Sequence, residues 1–222
     1  MPDKPVLFFD INETLLDMSP VKKAIKESLE LDDEAVKRWF TTLLHYSLVT
    51  SAGGKYEDFG KIGAETLRMI AAEYDKEISL SEAQEILKPI KDLPPHDDVP
   101  EALQALTASG YRLLALTNGE EEALKSQVDN AGLAEYFEVL LSVEKIGKFK
   151  PYTEVYDWAA TQAGVDPGNC MLIAAHPWDI AGAACAGWQT VYLKRSKTPH
   201  FDLTKAPDYT IDNLGKLAEA LG

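Results

Sequence analysis

Asp10, Glu13 and Thr14 follow directly on the apolar run Val6-Leu7-Phe8-Phe9, and groups able to do chemistry recur at Thr117-Asn118, Lys150, His176 and Asp179. A carboxylate placed just beyond a strand can act as a nucleophile, attacking an electrophilic centre and forming a covalent intermediate. It can equally cap the next helix by accepting backbone N–H groups, and the first strand alone leaves both readings open. The question is which elements carry the other residues, and whether they converge on Asp10.

After Leu16 the pattern is helical without intervening strands: Val21 to Leu29, Ala35 to Leu48, Phe59 to Tyr74 and Ser81 to Ile90. Ser81 is an N-cap candidate with Gln84 at the capping-box position, and Gly53-Gly54 breaks the preceding helix. The prolines of Asp92 to Pro100 exclude helix interior and mark a return linker. Helix and strand then alternate. Strands are expected at Tyr111 to Thr117, Val139 to Ser142, Cys170 to Ala174, Thr190 to Leu193 and Tyr209 to Ile211. Helices are expected at Pro100 to Ser109, Glu120 to Ala131, Tyr152 to Ala163, Asp179 to Ala186 and Leu214 to Leu221. This is the signature of an α/β fold, a parallel sheet flanked by helices, with residues 1–16 and 96–222 as the core and 17–95 as an inserted helical bundle. In such a sheet the residues after the strand ends border one crevice, so Asp10 to Thr14, Thr117 to Gly119, Ser142 to Lys150 and Ala175 to Asp179 are expected to meet.

Composition narrows the function. A net charge of -14 disfavours nucleic acid and anionic membrane surfaces as partners, and an anionic substrate would need local cations and backbone donors. Cys170 and Cys185 are too few for a disulfide framework or a thiolate metal site; their apolar surroundings suggest buried free thiols in a reducing cytoplasm. No cleavable leader or bilayer-spanning run is visible. His45, His96 and His200 lack partners at ligand spacing, so no transition-metal site is expected. Lys194, Arg195 and Lys197 suggest a solvated loop, and Trp39, Trp158 and Trp188 core or interface aromatics.

Taken in order, Asp10 with Thr14, Thr117-Asn118, Lys150-Pro151 and Asp179 resemble the haloacid dehalogenase superfamily, whose members have a Rossmann-like core and a helical cap. Its phosphatases resemble Asp-x-Asp at the first motif, where the second acid protonates the leaving alkoxide. Here Asn12 stands in that place, and an amide yields no proton at neutral pH. A halide leaving group needs none. The chain is thus similar to the 2-haloacid dehalogenase branch, which Trp39 to Ser47, Asp58-Phe59, Val155-Tyr156 and Trp178-Asp179 also resemble. That branch usually has Arg at Phe40, Ser at Thr117, Tyr at Asn12, and Ser and Asn at Ala174 and His176. Arg38, two positions away from Phe40, faces elsewhere on the helix.

The resemblance implies hydrolysis of short 2-haloalkanoates to 2-hydroxyacids through an ester on Asp10, without metal or organic cofactor. Asp179 would orient Lys150, and Lys150 would keep Asp10 ionised. His176 and Glu13, both on loops at the crevice, would activate water. Thr14, Thr117, Asn118 and the Ile11 to Asn12 backbone would hold the substrate carboxylate or oxyanion. Phe40, Leu44, Phe59 and Trp178 would wall the halide and alkyl group, with Tyr156 also on the substrate side. Relatives suggest a homodimer. The rival readings are a Mg²⁺-dependent small-molecule phosphatase with Asp179 on the metal, and a non-catalytic small-anion binder.

Overall fold

A computed structural model describes residues 4–222, so the first three residues of the expected core lie outside the described residues. Every residue of β1 (Val6–Phe9) is buried, as a strand covered on both faces requires. Its parallel neighbours are β2 (Leu113–Thr117) and β4 (Cys170–Ala174). With β3 (Val139–Ser142), β5 (Gln189–Leu193) and β6 (Tyr209–Ile211) the order is β3-β2-β1-β4-β5-β6, all parallel. Chain order reverses beside the central β1, and the crevice lies at that switch point, at the carboxyl ends of the strands. Helices connect the strands: α5 (Val99–Ala108), α6 (Glu121–Asn130), α7 (Thr153–Ala163) and α8 (Pro177–Cys185).

Between β1 and α5 lie α1 (Ser19–Leu29), α2 (Asp33–Ala52), α3 (Phe59–Glu73) and α4 (Leu80–Leu87), followed by a 3₁₀ turn at Lys88–Lys91. Asp32 and Asp58 cap α2 and α3, accepting from the N–H groups of Ala35 (2.8 Å) and Lys61 (2.5 Å). Trp39 of α2 is buried and donates its indole N–H to the Gly63 carbonyl of α3 (2.9 Å), which locks the two longest helices of the insertion together. The chain leaves and re-enters the sheet domain through paired segments. The Asp17 N–H donates to Pro94 (2.8 Å), and the His96 N–H donates to Leu15 (2.9 Å).

Three expectations need correction. The capping box belongs to Ser79 and Glu82, two residues before the expected Ser81 and Gln84. Both pairs fit the spacing, and a carboxylate at the helix start outcompetes a neutral amide. Cys170 is buried and its thiol is pushed up to about 12 by burial and then by the Asp166 charge, but Cys185 is exposed at the end of α8. Arg195 is not in a solvated loop. It grips Asp98 with two bonds of 2.8 Å and donates to the Thr14 carbonyl (3.1 Å), tying the loop after β5 to the return linker and the loop after β1.

Candidate active site

Asp10 follows the last residue of β1 and is 5% exposed. One carboxylate oxygen accepts from Lys150 Nζ (2.9 Å), the other from the Thr14 hydroxyl (2.6 Å). Thr14 Oγ1 in turn accepts from the Ala175 N–H (2.9 Å), so the loops after β1 and β4 fix each other. Lys150, fully buried, bridges to Asp179 Oδ2 (2.6 Å) and also donates to the Leu116 carbonyl (3.0 Å). Asp179 sits in the first turn of α8, a helix start that suits a negative charge.

The charge pattern favours an ionised nucleophile. Burial alone would raise the Asp10 carboxyl, but the Lys150 ammonium, the nearby His176 and the bonds from Lys150 and Thr14 outweigh it and hold Asp10 below the usual carboxylate range. Lys150 is opposed by burial and raised by its two carboxylates, so it stays charged. Asp179 is raised by burial, an effect only partly offset by Lys150 and reinforced by the Asp10 charge.

Tyr156 departs from its expected place. It is fully buried and donates its hydroxyl to Asp179 Oδ1 (2.5 Å), so it supports the ion pair from behind and does not line the substrate side. Burial and the Asp179 charge hold its hydroxyl protonated, well above the ordinary value. Gly182 permits this packing, since a Cβ there would lie 2.4 Å from Pro151 Cβ and 2.6 Å from the Tyr156 oxygen.

On the opposite side, Glu13 and His176, expected to activate water together, come close without hydrogen-bonding to each other. His176 Nε2 lies 3.3 Å from the Asn12 carbonyl, a contact that is a hydrogen bond only in the tautomer with the proton on Nε2, and stands 3.7 Å from Glu13 Oε2 and 3.9 Å from Asp10 Oδ2. Glu13, at φ 63°, also pairs with Lys22 of α1. The His176 ring is stacked on Phe40 (5.7 Å) and on Trp178 (5.3 Å). Arg38 turns away to Glu73 and Tyr74, as its helical offset from Phe40 implies.

Asn118 accepts from the Lys150 N–H through Oδ1 (2.8 Å), while its buried Nδ2 has no partner among the described residues. The indole N–H of Trp178 is likewise buried and unpaired. Such donors seek an acceptor. Thr117 Oγ1 accepts from the Gly119 N–H (3.1 Å). Ile11 is buried in the core and its carbonyl accepts from the Leu15 and Leu16 N–H groups (2.9 and 3.0 Å), while Phe59 packs on Phe149. Leu44, half-buried, packs against the core.

A cleft of about 390 Å³ has Asn12, Leu43, Phe59, Ile90, Gly119 and Gln127 in its walls; it meets the loops after β1 and β2 at Asn12 and Gly119, and Asp10 itself is not part of its lining. Gln127 has no place in the sequence motifs; its only signal there is an amide between Leu124 and Val128 on the buried stripe of α6. The donor set does not suit a divalent cation: Asn12 gives its side-chain oxygen to Gln127, and the Lys150 ammonium lies between Asp10 and Asp179.

A covalent-nucleophile hydrolase with an enclosing helical insertion is the class that this fold and centre define, and the chain belongs to the haloacid dehalogenase-like hydrolase family, whose model matches residues 5–187. It is 26% identical to an (S)-2-haloacid dehalogenase of Pseudomonas putida over 216 residues, 97% of this chain and 95% of that protein. A haloacetate dehalogenase H-2 of Moraxella sp. (strain B) is 26% identical over 91% of both chains. The fold matches that of L-2-haloacid dehalogenase from Xanthobacter autotrophicus with chloropropionic acid covalently bound, at TM-score 0.90 and 22% identity, covering 99% and 98% of the two chains.

Proposed function

We propose that the protein hydrolyses short 2-haloalkanoic acids to 2-hydroxyacids. The observation that carries this reading is the buried Asp10 carboxylate, held ionised by Lys150 at 2.9 Å, beside an Asn12 that has no proton to give a poor leaving group. Asp10 attacks the carbon bearing the halogen; the new C–O bond forms as the C–X bond breaks, and halide leaves with the electron pair. The N–H groups of Asn118 and Trp178, unpaired among the described residues, supply donors to an anion in this centre, and Phe40, stacked on His176, and Phe59, in the cleft wall, keep it dry.

Water then attacks the Asp10 ester carbonyl. The gaps of 3.9 Å to Asp10 and 3.7 Å to Glu13 suit a bridging water at His176 Nε2. With the ring hydrogen on Nδ1, that nitrogen takes the water proton and Glu13 stabilises the imidazolium. The tetrahedral intermediate then breaks its bond to the ester oxygen, the imidazolium gives its proton to that leaving oxygen, the second water proton passes to solvent, and the 2-hydroxyacid leaves with the Asp10 carboxylate regenerated. The ester oxygen stays with the product, so the configuration set by in-line attack is inverted.

Residues 17–95 act as the cap on a core of residues 1–16 and 96–222, a division supported by the paired entry and exit segments. The exposed Tyr46 and Val49 on α2, beside a groove lined by His45, Leu48, Pro151 and Tyr152, support a homodimer, to be read by light scattering. A reducing cytoplasm suits the two free cysteines.

The test is halide release from 2-chloropropionate and bromoacetate. The wild type should turn over without added metal, and Asp10→Asn should abolish turnover. Release that survives Asp10→Asn, or no release from either acid, overturns the reading.

A further inference from the structure

Gln127 is 3% exposed, and its amide makes two bonds of one kind. Nε2 donates to the Asn12 side-chain Oδ1 (3.0 Å) and to the Ile90 carbonyl (2.7 Å), one acceptor on the nucleophile loop and the other at the end of the helical insertion. A main-chain carbonyl can only accept, so the nitrogen of Gln127 must face Ile90. Both of its hydrogens are then committed, and Asn12 must meet it with oxygen. With Oδ1 turned to Gln127, Asn12 presents Nδ2 away from it, and Asn12, two residues after Asp10, lines the cleft.

We propose that Gln127 is a positioning residue that turns the Asn12 amide so that it offers N–H donors, not an oxygen, to the carboxylate of the substrate. The inference rests on the haloacid reading and names the group that recognises the substrate's anionic end. The orientation matters in a chain of net charge -14, where an outward amide oxygen would add to the repulsion that a carboxylate meets. It also makes recognition depend on seating of the insertion, because the bond to Ile90 fixes which atom Gln127 shows to Asn12. Asn130, on the same helix, donates to the Lys91 carbonyl (2.9 Å) and provides a control that holds the same segment without touching Asn12.

The experiment compares Gln127→Glu, Gln127→Leu and Asn130→Ala by steady-state halide release from 2-chloropropionate and by calorimetric binding of L-lactate, an unreactive 2-hydroxyacid. An ionised glutamate only accepts, so it draws Asn12 Nδ2 inward and turns the oxygen to the cleft. Gln127→Glu should raise KM and weaken lactate binding about ten-fold or more, with kcat changed less than about three-fold. Gln127→Leu should give a smaller effect of the same kind, and Asn130→Ala almost none. In an Asn12→Ala background the Gln127 substitutions should have no further effect on KM or on lactate affinity. The inference is overturned if Asn130→Ala matches Gln127→Leu, if the Gln127 effects persist without the Asn12 amide, or if kcat falls while KM and lactate binding hold. Absence of halide release by the wild type defeats the dehalogenase reading instead, and lactate binding by the variants still decides the role of Gln127.

Discussion

Replacing Tyr156 with Phe separates two roles that a sequence pattern cannot distinguish. The ring and its edge contact with Trp188, centroids 5.5 Å apart, are kept, and only the hydroxyl that donates to Asp179 at 2.5 Å is removed. A hydrogen bond to a charged acceptor contributes about 1.5–3 kcal/mol, and the abandoned Asp179 Oδ1 is fully buried. A loss of about 2 kcal/mol, with a urea dependence of about 2 kcal/mol/M, moves the unfolding midpoint down by about 1 M. The pH dependence has a definite sign. The bond favours the ionised carboxylate, so its loss raises further an Asp179 that burial already raises. A raised carboxyl contributes stability that is complete below its unfolded value and lost as pH rises through the folded value. The deficit of Tyr156→Phe is therefore larger at pH 7 than near pH 4, and the acid limb of halide release shifts upward, because protonated Asp179 holds Lys150 less well. The assay pairs urea melts at both pH values with kinetics; kcat should fall and KM should stay. An unchanged midpoint with a raised KM would return Tyr156 to the substrate side and refute the argument.

His176→Gln should leave the first half-reaction intact: about one equivalent of halide is released, turnover stalls, and intact-mass spectrometry shows the ester on Asp10; continued turnover would remove His176 from water activation. Gly182→Ala should cost about 1–3 kcal/mol by overpacking Pro151 and Tyr156, read as a lowered melting temperature with reduced kcat. Arg195→Met should destabilise the protein by about 2 kcal/mol at pH 7, since it unpairs a mostly buried Asp98. Burial raises Asp98, but the bonds from Arg195 and the Leu214 N–H, together with the Arg195 charge, hold it below its ordinary value; its stabilisation is present above the unfolded carboxylate value and lost as pH falls through the folded one, so the variant should show a flatter acid transition in urea melts.

The apolar run ending at Asp10 and the later alternation of helix and strand were enough to anticipate a parallel sheet and convergence at its carboxyl edge. Thr14, Lys150, His176 and Asp179 lie there because strand direction alone puts them there. What escaped the sequence depends on contacts between distant segments. Tyr156 fits the family pattern equally well in front of Asp179 or behind it, and only the packing of α8 against α7 decides. Gln127 reads as an ordinary helix residue until Asn12 and Ile90, 115 and 37 positions away, are brought to it. Arg195 lies in a basic run of a kind usually solvated, and its partner Asp98 is 97 positions earlier. The capping box failed differently: two legitimate matches stood two residues apart, and local chemistry chose between them.

The His176 ring has Phe40 against it from α2 and Trp178 from the start of α8, so its two aromatic neighbours belong to different parts of the molecule. The aim of Nε2 at Asp10 and Glu13 is therefore set jointly by α2 and α8, and a substitution at Phe40 would disturb it without removing any atom that reacts.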